Sequence, residues 1–326
     1  MPPHAPDVDS LNSWVADATA APSMHNAQPW KFRYTPHNGE LLLRLDPARA
    51  MPLSDPSSRG LHIGCGAALC NLRVAAAHAG WDAQVRPLPD PADREALAAV
   101  AFVPGGAEDD LGALYPAIRD RHTSREPFTD EAVPRAVRDG LSGAAVAEGA
   151  RLVFPGVWQV QAILDLVWDA EYEEELSPRV REEIARWTGT GTEDARGEGI
   201  PSAAFGPRPY GVRSPVRDFA VGRTVEGRRT AVYERSPCLA VLGTRQDGPE
   251  DWLRAGQALE RVLLRATLDG LVTSLSSQVL EWPELRWAMA DPLSPTGHPQ
   301  MLIRLGYGPQ GPSTPRRPVS DVLEVR

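Results

Sequence analysis

Two prolines, Pro22 and Pro29, bracket the run Ser23-Met24-His25-Asn26-Ala27-Gln28, and Trp30 follows directly. Each proline fixes φ and lacks an N–H, so neither a helix interior nor a central strand runs through this segment. Backbone groups kept out of regular structure must find other partners. Ser23, Asn26 and Gln28 supply short polar side chains of the kind that line a heteroaromatic edge, and Trp30 anchors the next strand in the core. The plain alternative is a helix-exit turn with a buried tryptophan. It explains the residue types but not the whole pattern.

A second run, Arg121-His122-Thr123-Ser124-Arg125-Glu126-Pro127-Phe128, lies much further along. A spacing of four puts Arg121 and Arg125 on one side if the segment is helical, and Thr123 adds a hydroxyl. Guanidinium forks suit phosphate, each charge-assisted bond contributing ~1.5–3 kcal/mol. Lys31 is the sole lysine, so arginine is the ordinary cation here. Taken alone, the run therefore favours a solvated surface. A third cluster, Pro312-Ser313-Thr314-Pro315-Arg316-Arg317-Pro318, follows a predicted strand. It reads equally as another source of positive charge or as a proline-stiffened basic tail.

The 326 residues suffice for one large domain or two modest ones, and 42% hydrophobic residues for a sizeable core. A net charge of -9 argues against nucleic acid or an anionic membrane as partner. Cys65, Cys70 and Cys238 form no C-x-x-C pair, so a disulfide framework and a zinc site are not expected. A reducing cytoplasm is the expected setting. Residues 1–30 hold no Lys or Arg and no signal-peptide core. No uninterrupted apolar run has membrane-spanning length.

Periodicity and breakers predict a helix over 11–20, a hairpin of 30–34 and 41–45 around Asn38-Gly39, and a helix over 61–79 ended by Gly80. A strand at 83–88, a short helix at 91–98 and a domain boundary within 100–109 follow. The second half reads as helices at 111–120, 130–142, 159–174 and 178–187, then 252–269 and 283–289. Its strands are 151–154, 238–243, 272–276 and 301–305. Residues 188–229 lack periodicity, and a stretch of that length in a compact domain is usually functional or disordered. The 66–80 and 256–270 helices share Gly, Ala, Leu, Ala and Gly at the same offsets. They read either as two unrelated Ala/Leu helices or as a tandem duplication whose small residues let the helices approach closely. Gly306-Tyr307-Gly308-Pro309-Gln310-Gly311 matches G-x-G-x-x-G, but Pro312 and Pro315 forbid the helix a dinucleotide fingerprint needs.

Together the Pro-Ser-x-x-Asn-x-Gln-Pro-Trp run, the Arg-x-Thr-x-Arg run, residues 274–286 and the final 306–318 segment resemble the nitroreductase superfamily, in particular its Acg-like branch. The resemblance implies an α+β fold with antiparallel-rich sheets flanked by helices, duplicated in one chain and pseudo-dimeric. Its halves would be 1–105 and 106–326, with 188–229 as a lid. In that superfamily the Arg run precedes the Pro-Ser run and FMN sits between two subunits. Here the order is reversed and each half lacks what the other keeps, which implies one complete site in a monomer that mimics a dimer.

By that resemblance Arg121, Thr123 and Arg125 would hold phosphate and ribityl groups, with Arg316 or Arg317. Pro22, Ser23, Asn26 and Gln28 would lie along the ring, and Ser276, Ser277 and Gln278 near its redox edge. The implied cofactor is FMN, with NADH or NADPH as reductant and a nitro compound, quinone or similar small acceptor. The alternatives are a flavin-sequestering protein with little turnover and, more distantly, a flavin-free scaffold. No catalytic side chain is singled out.

Overall fold

The computed structural model describes residues 5–105, 110–189, 197–210, 215–220, 222–290 and 297–326. Helix α1 (Val8–Ala18) is capped by the Asp7 carboxylate, which accepts from the Ser10 amide at 2.7 Å. The predicted hairpin forms as β1 (Trp30–Thr35) and β2 (Glu40–Leu45), turning at Gly39 with φ 70°. Helix α2 (Arg59–His78) ends at Gly80, φ 80°, the left-handed residue its sequence supplies. Strand β3 (Trp81–Pro87) leads to β4 (Ala96–Pro104).

That strand corrects one expectation. The predicted helix at 91–98 runs into β4. The Ala96–Val100 run is alanine-rich, which suggests helix by propensity. Yet β4 pairs antiparallel with β2 on one side and β3 on the other, and its buried side chains pack under α2. Packing decides the conformation there, not intrinsic preference.

Helices α3 (Ala117–Asp120) and α4 (Arg135–Ala147), β5 (Arg151–Val153), α5 (Val157–Leu176) and α6 (Pro178–Arg186) follow. Next come β6 (Cys238–Thr244), α7 (Pro249–Leu268), β7 (Val272–Ser276), α8 (Gln278–Glu281), α9 (Pro283–Met289), β8 (His298–Gly306) and β9 (Leu323–Val325). The five-stranded sheet has the order β9-β1-β2-β4-β3 and the four-stranded sheet β7-β8-β6-β5. The C-terminal β9 joins the first sheet, parallel to β1. The chain thus returns from the second sheet to the first and draws residues 307–318 past the loops at 20–30. No helix follows β8 until Val319, so Gly306–Gly311 opens none.

Helices α2 and α7 lie across each other in the middle of the molecule. A Cβ on Gly66 would stand 2.1 Å from the Leu253 carbonyl oxygen, and one on Gly256 2.1 Å from that of Ile63. Helix α2 alone among the described helices has the length and apolarity to cross a membrane, and 83% of its apolar window is buried inside this protein. Most of its buried apolar side chains pack in the core of the first sheet, while Ile63 joins that of the second.

Candidate functional site

The Pro22–Trp30 segment is strained. His25, Asn26 and Gln28 have φ of 50°, 55° and 53°, three left-handed non-glycine residues within four positions. Such residues cost about 1–3 kcal/mol each and persist where their surroundings over-determine them, often at functional sites. Here the Asn26 amide donates to the Ser23 carbonyl at 3.0 Å, and the Gln28 amide to the Ser23 hydroxyl at 2.9 Å. Gly64 leaves the room: a Cβ there would sit 3.1 Å from that of Ser23.

Side chains then tie this loop to two distant ones. Asn26 Nδ2 donates to the carbonyls of Gly199 (2.9 Å) and Pro315 (3.0 Å), and its Oδ1 accepts from Arg316 Nη1 at 3.1 Å. Gln28 Nε2 donates to the Gly197 carbonyl at 2.6 Å, and its Oε1 accepts from the Arg317 amide at 2.8 Å.

The arginine run arrives from the other side. Ser124 donates its amide to the Thr273 carbonyl at 2.8 Å, which fixes the run to β7. Gly311 lets it through, since a Cβ there would lie 2.0 Å from the Thr123 carbonyl oxygen. Arg121 Nη2 donates to the Ala20 carbonyl at 2.9 Å, and Arg316 Nη2 donates to the same oxygen at 3.0 Å. Arg125 donates to the Ala204 carbonyl at 2.8 Å with its guanidinium 4.7 Å from the Phe219 ring centroid. Burial draws the Arg316 guanidinium down to about 9, with Arg121 adding to the effect. Burial likewise draws Arg125 down to about 10, helped by Arg217. Among the described residues no carboxylate stands at ion-pair distance from Arg125 or Arg316. Desolvated cations of this kind are poised for an anion.

These groups surround a cavity of about 330 Å³, within the usual range for small-molecule sites. Of the residues predicted from sequence, Pro22, Ser23, Asn26, Arg121, Thr123, Arg125, Ser277 and Arg316 line it. Gln28, Ser276, Gln278 and Arg317 do not. Gln28 and Arg317 hold each other, Arg317 also donating to the Gln28 carbonyl at 3.3 Å. Ser276 is buried in β7, and Gln278 turns inward to donate to the Val167 carbonyl at 3.2 Å.

Sequence reasoning missed the charged groups packed behind His25, Phe219 and Glu281, which line the cavity. Arg217, from the stretch without periodicity, is buried and clasps Glu174 (2.7 Å) and Glu281 (2.8 Å). Its Nη1 lies 3.1 Å from His25 Nε2. A guanidinium only donates, so that nitrogen accepts and the His25 proton sits on Nδ1. Burial, then Arg217 and Arg125, holds the His25 imidazole neutral, well below its ordinary range. Burial raises Glu174 to about 7 although Arg217 opposes the shift, and Glu171 beside it to about 7. Phe219 packs edge-on to His25 with centroids 5.5 Å apart and, with Ile200, lines the cavity. No local pattern marks Arg217. His25 stood inside the Pro-Ser motif, and only its left-handed backbone sets it apart.

No protein-family model matches the chain. Two Mycobacterium tuberculosis (strain H37Rv) proteins provisionally named NAD(P)H nitroreductase align with it end to end. Rv3131 is 33% identical over 99% of this chain and 94% of its own. The protein named acg is 32% identical over 100% of this chain and 98% of its own. Among solved structures, the FMN-dependent nitroreductase NfnB from Mycobacterium smegmatis, in complex with NADPH, matches 65% of this chain and 97% of its own. The TM-score is 0.43 at 16% identity. Full-length similarity to the two mycobacterial proteins, with both signature runs brought to one cavity, makes this chain a member of the nitroreductase superfamily in its Acg-like branch.

Proposed function

We propose that the cavity binds FMN and that the protein passes reducing equivalents from NADH or NADPH to a small nitro, quinone or similar acceptor. The observation that supports this most is the meeting of Arg121 and Arg316 on the Ala20 carbonyl, two residues before Pro22. It brings the two signature runs and the C-terminal cluster to one place. Bound flavin supplies the hydride chemistry itself. The chain's own residues bind and orient: Arg121, Thr123 and Arg316 suit the phosphate, Arg125 offers a further cation, and Pro22, Ser23 and Asn26 form the polar strip along the ring. Ser277 adds a hydroxyl on the wall opposite that strip. Leu259, Leu275 and Phe219 exclude water, which strengthens each charge interaction inside. Protons need no dedicated side-chain acid, and His25 is held neutral.

The FMN-storage reading is favoured by one observation. Ile200 and Phe219, both from residues 188–229, wall the cavity, and Arg217 ties that stretch to α5 and α8. A cover held by a buried ion pair restricts nicotinamide stacking. Anaerobic stopped-flow mixing of the flavin-loaded protein with NADPH separates the two: rapid bleaching supports the reductase, and an unbleached flavin supports storage.

We read the chain further as a tandem duplication, with halves 1–105 and 106–326 and one site between them, a single chain mimicking a dimer. Support comes from α2 and α7, which cross at glycines of equal offset. Three buried or half-buried free cysteines fit a reducing cytoplasm, and the acidic net charge fits a small-molecule partner rather than nucleic acid or an anionic membrane.

A further inference from the structure

Glu260, on α7, is fully buried, and its Oε1 lies 3.3 Å from Arg121 Nε. Neither carboxylate oxygen meets a donor at full hydrogen-bonding geometry, and the only neutral side chain that supports its charge is the nearby Asn71 amide. A carboxylate so placed is costly unless its charge is needed. The charge around it shows what it is needed for. Arg121 and Arg316 share the Ala20 carbonyl, so two guanidiniums crowd together in a buried place. Glu260 relieves part of that repulsion. The other titratable groups that face it are neutral or screened. Cys70 on α2 is held protonated by burial, and His122 is held unprotonated by burial and by Arg121. Arg119 is largely exposed and paired with Asp17.

A bound phosphate changes the balance. It brings about two negative charges, which reverses the sign of this pole while Glu260 stays ionised. Resting on the FMN reading above, we propose that Glu260 is the resident counter-ion of the phosphate pole and takes up a proton from solvent when phosphate displaces it from Arg121. Burial already raises the Glu260 carboxyl, opposed chiefly by Arg121, and loss of that opposition raises it further. Glu260 is thus a positioning residue. It holds Arg121 ready in the empty site and yields it to the ligand.

The test is calorimetric titration of FMN into flavin-free protein near pH 8, in two buffers of different ionisation enthalpy. The free phosphate is already dianionic there. Wild type is expected to take up about one proton per flavin, and Glu260→Gln none while still binding FMN. Riboflavin, which lacks the phosphate, should cause no uptake in either. FMN affinity should weaken with rising pH in wild type and stay level in the variant. Infrared difference spectra of wild type alone should gain a protonated-carboxyl band on FMN addition, which keeps the test open if the variant does not fold. FMN binding with no proton uptake, or equal uptake in both proteins, overturns this inference alone. Failure of wild type to bind FMN overturns the parent reading and this one with it.

Discussion

Gly66 and Gly256 face each other where α2 crosses α7, and each leaves room for a carbonyl oxygen of the other helix. A methyl group at either position would stand 2.1 Å from that oxygen, far inside van der Waals contact. Backbone, unlike a side chain, has nowhere to turn. Gly66→Ala and Gly256→Ala should each destabilise the chain by ~1–3 kcal/mol through overpacking. The double variant should cost less than the sum of the two, since one displacement of the helices accommodates both methyls. Chemical denaturation of the three variants measures this.

The Arg217 clasp should govern access to the cavity. Removing one partner of a buried ion pair leaves the others uncompensated, at a cost of about 3–5 kcal/mol. Arg217→Gln should therefore raise hydrogen exchange in residues 215–220 and speed flavin bleaching by NADPH. Unchanged exchange there would show that the clasp does not hold the segment.

The same clasp should depend on pH, with a sign opposite to that of a surface salt bridge. Glu174 and Glu171 are raised to about 7 from 4.5, so closing the segment takes up protons. The stabilisation is fully present below the ordinary carboxyl range and is lost as pH rises through about 7. Proteolysis or exchange at 215–220 should be slower near pH 6 than near pH 8, and Glu174→Gln should flatten the difference.

Burial pushes the Cys65 and Cys70 thiols well up. The thiolate is the reactive form, so a thiol reagent should leave both unlabelled in the native chain and reach them only on unfolding. Rapid labelling of either would show that the α2 core is not packed as described.

Some of this was legible in residues alone. Pro22, Pro29 and the polar residues between them announced an irregular backbone, because proline restricts the chain wherever it stands. The glycines at 66, 80, 256 and 270 marked both a close crossing and two helix ends. The Arg121 run remained ambiguous, since four-residue spacing does not say whether a surface or a cavity lies beside it. Arg217 was illegible. Its meaning comes from Glu174, Glu281 and His25, which three separate elements bring to it. Gln28 and Arg317 look like site residues by type, yet Gln28 accepts from Arg317 and donates to the Gly197 carbonyl, while Arg317 also reaches the Asp321 carbonyl and Asp46, and only the packed loops reveal it.

The most direct test is FMN titration of flavin-free protein, followed by flavin fluorescence, alongside Arg121→Gln and Arg316→Gln. Each lost charge-assisted bond should cost ~1.5–3 kcal/mol, a weakening of roughly tenfold to a hundredfold, with riboflavin affinity little changed. Wild type should bind a single FMN per chain and prefer it to riboflavin. A wild type that binds neither, or both equally with no effect of the two substitutions, would contradict the assignment of this cavity.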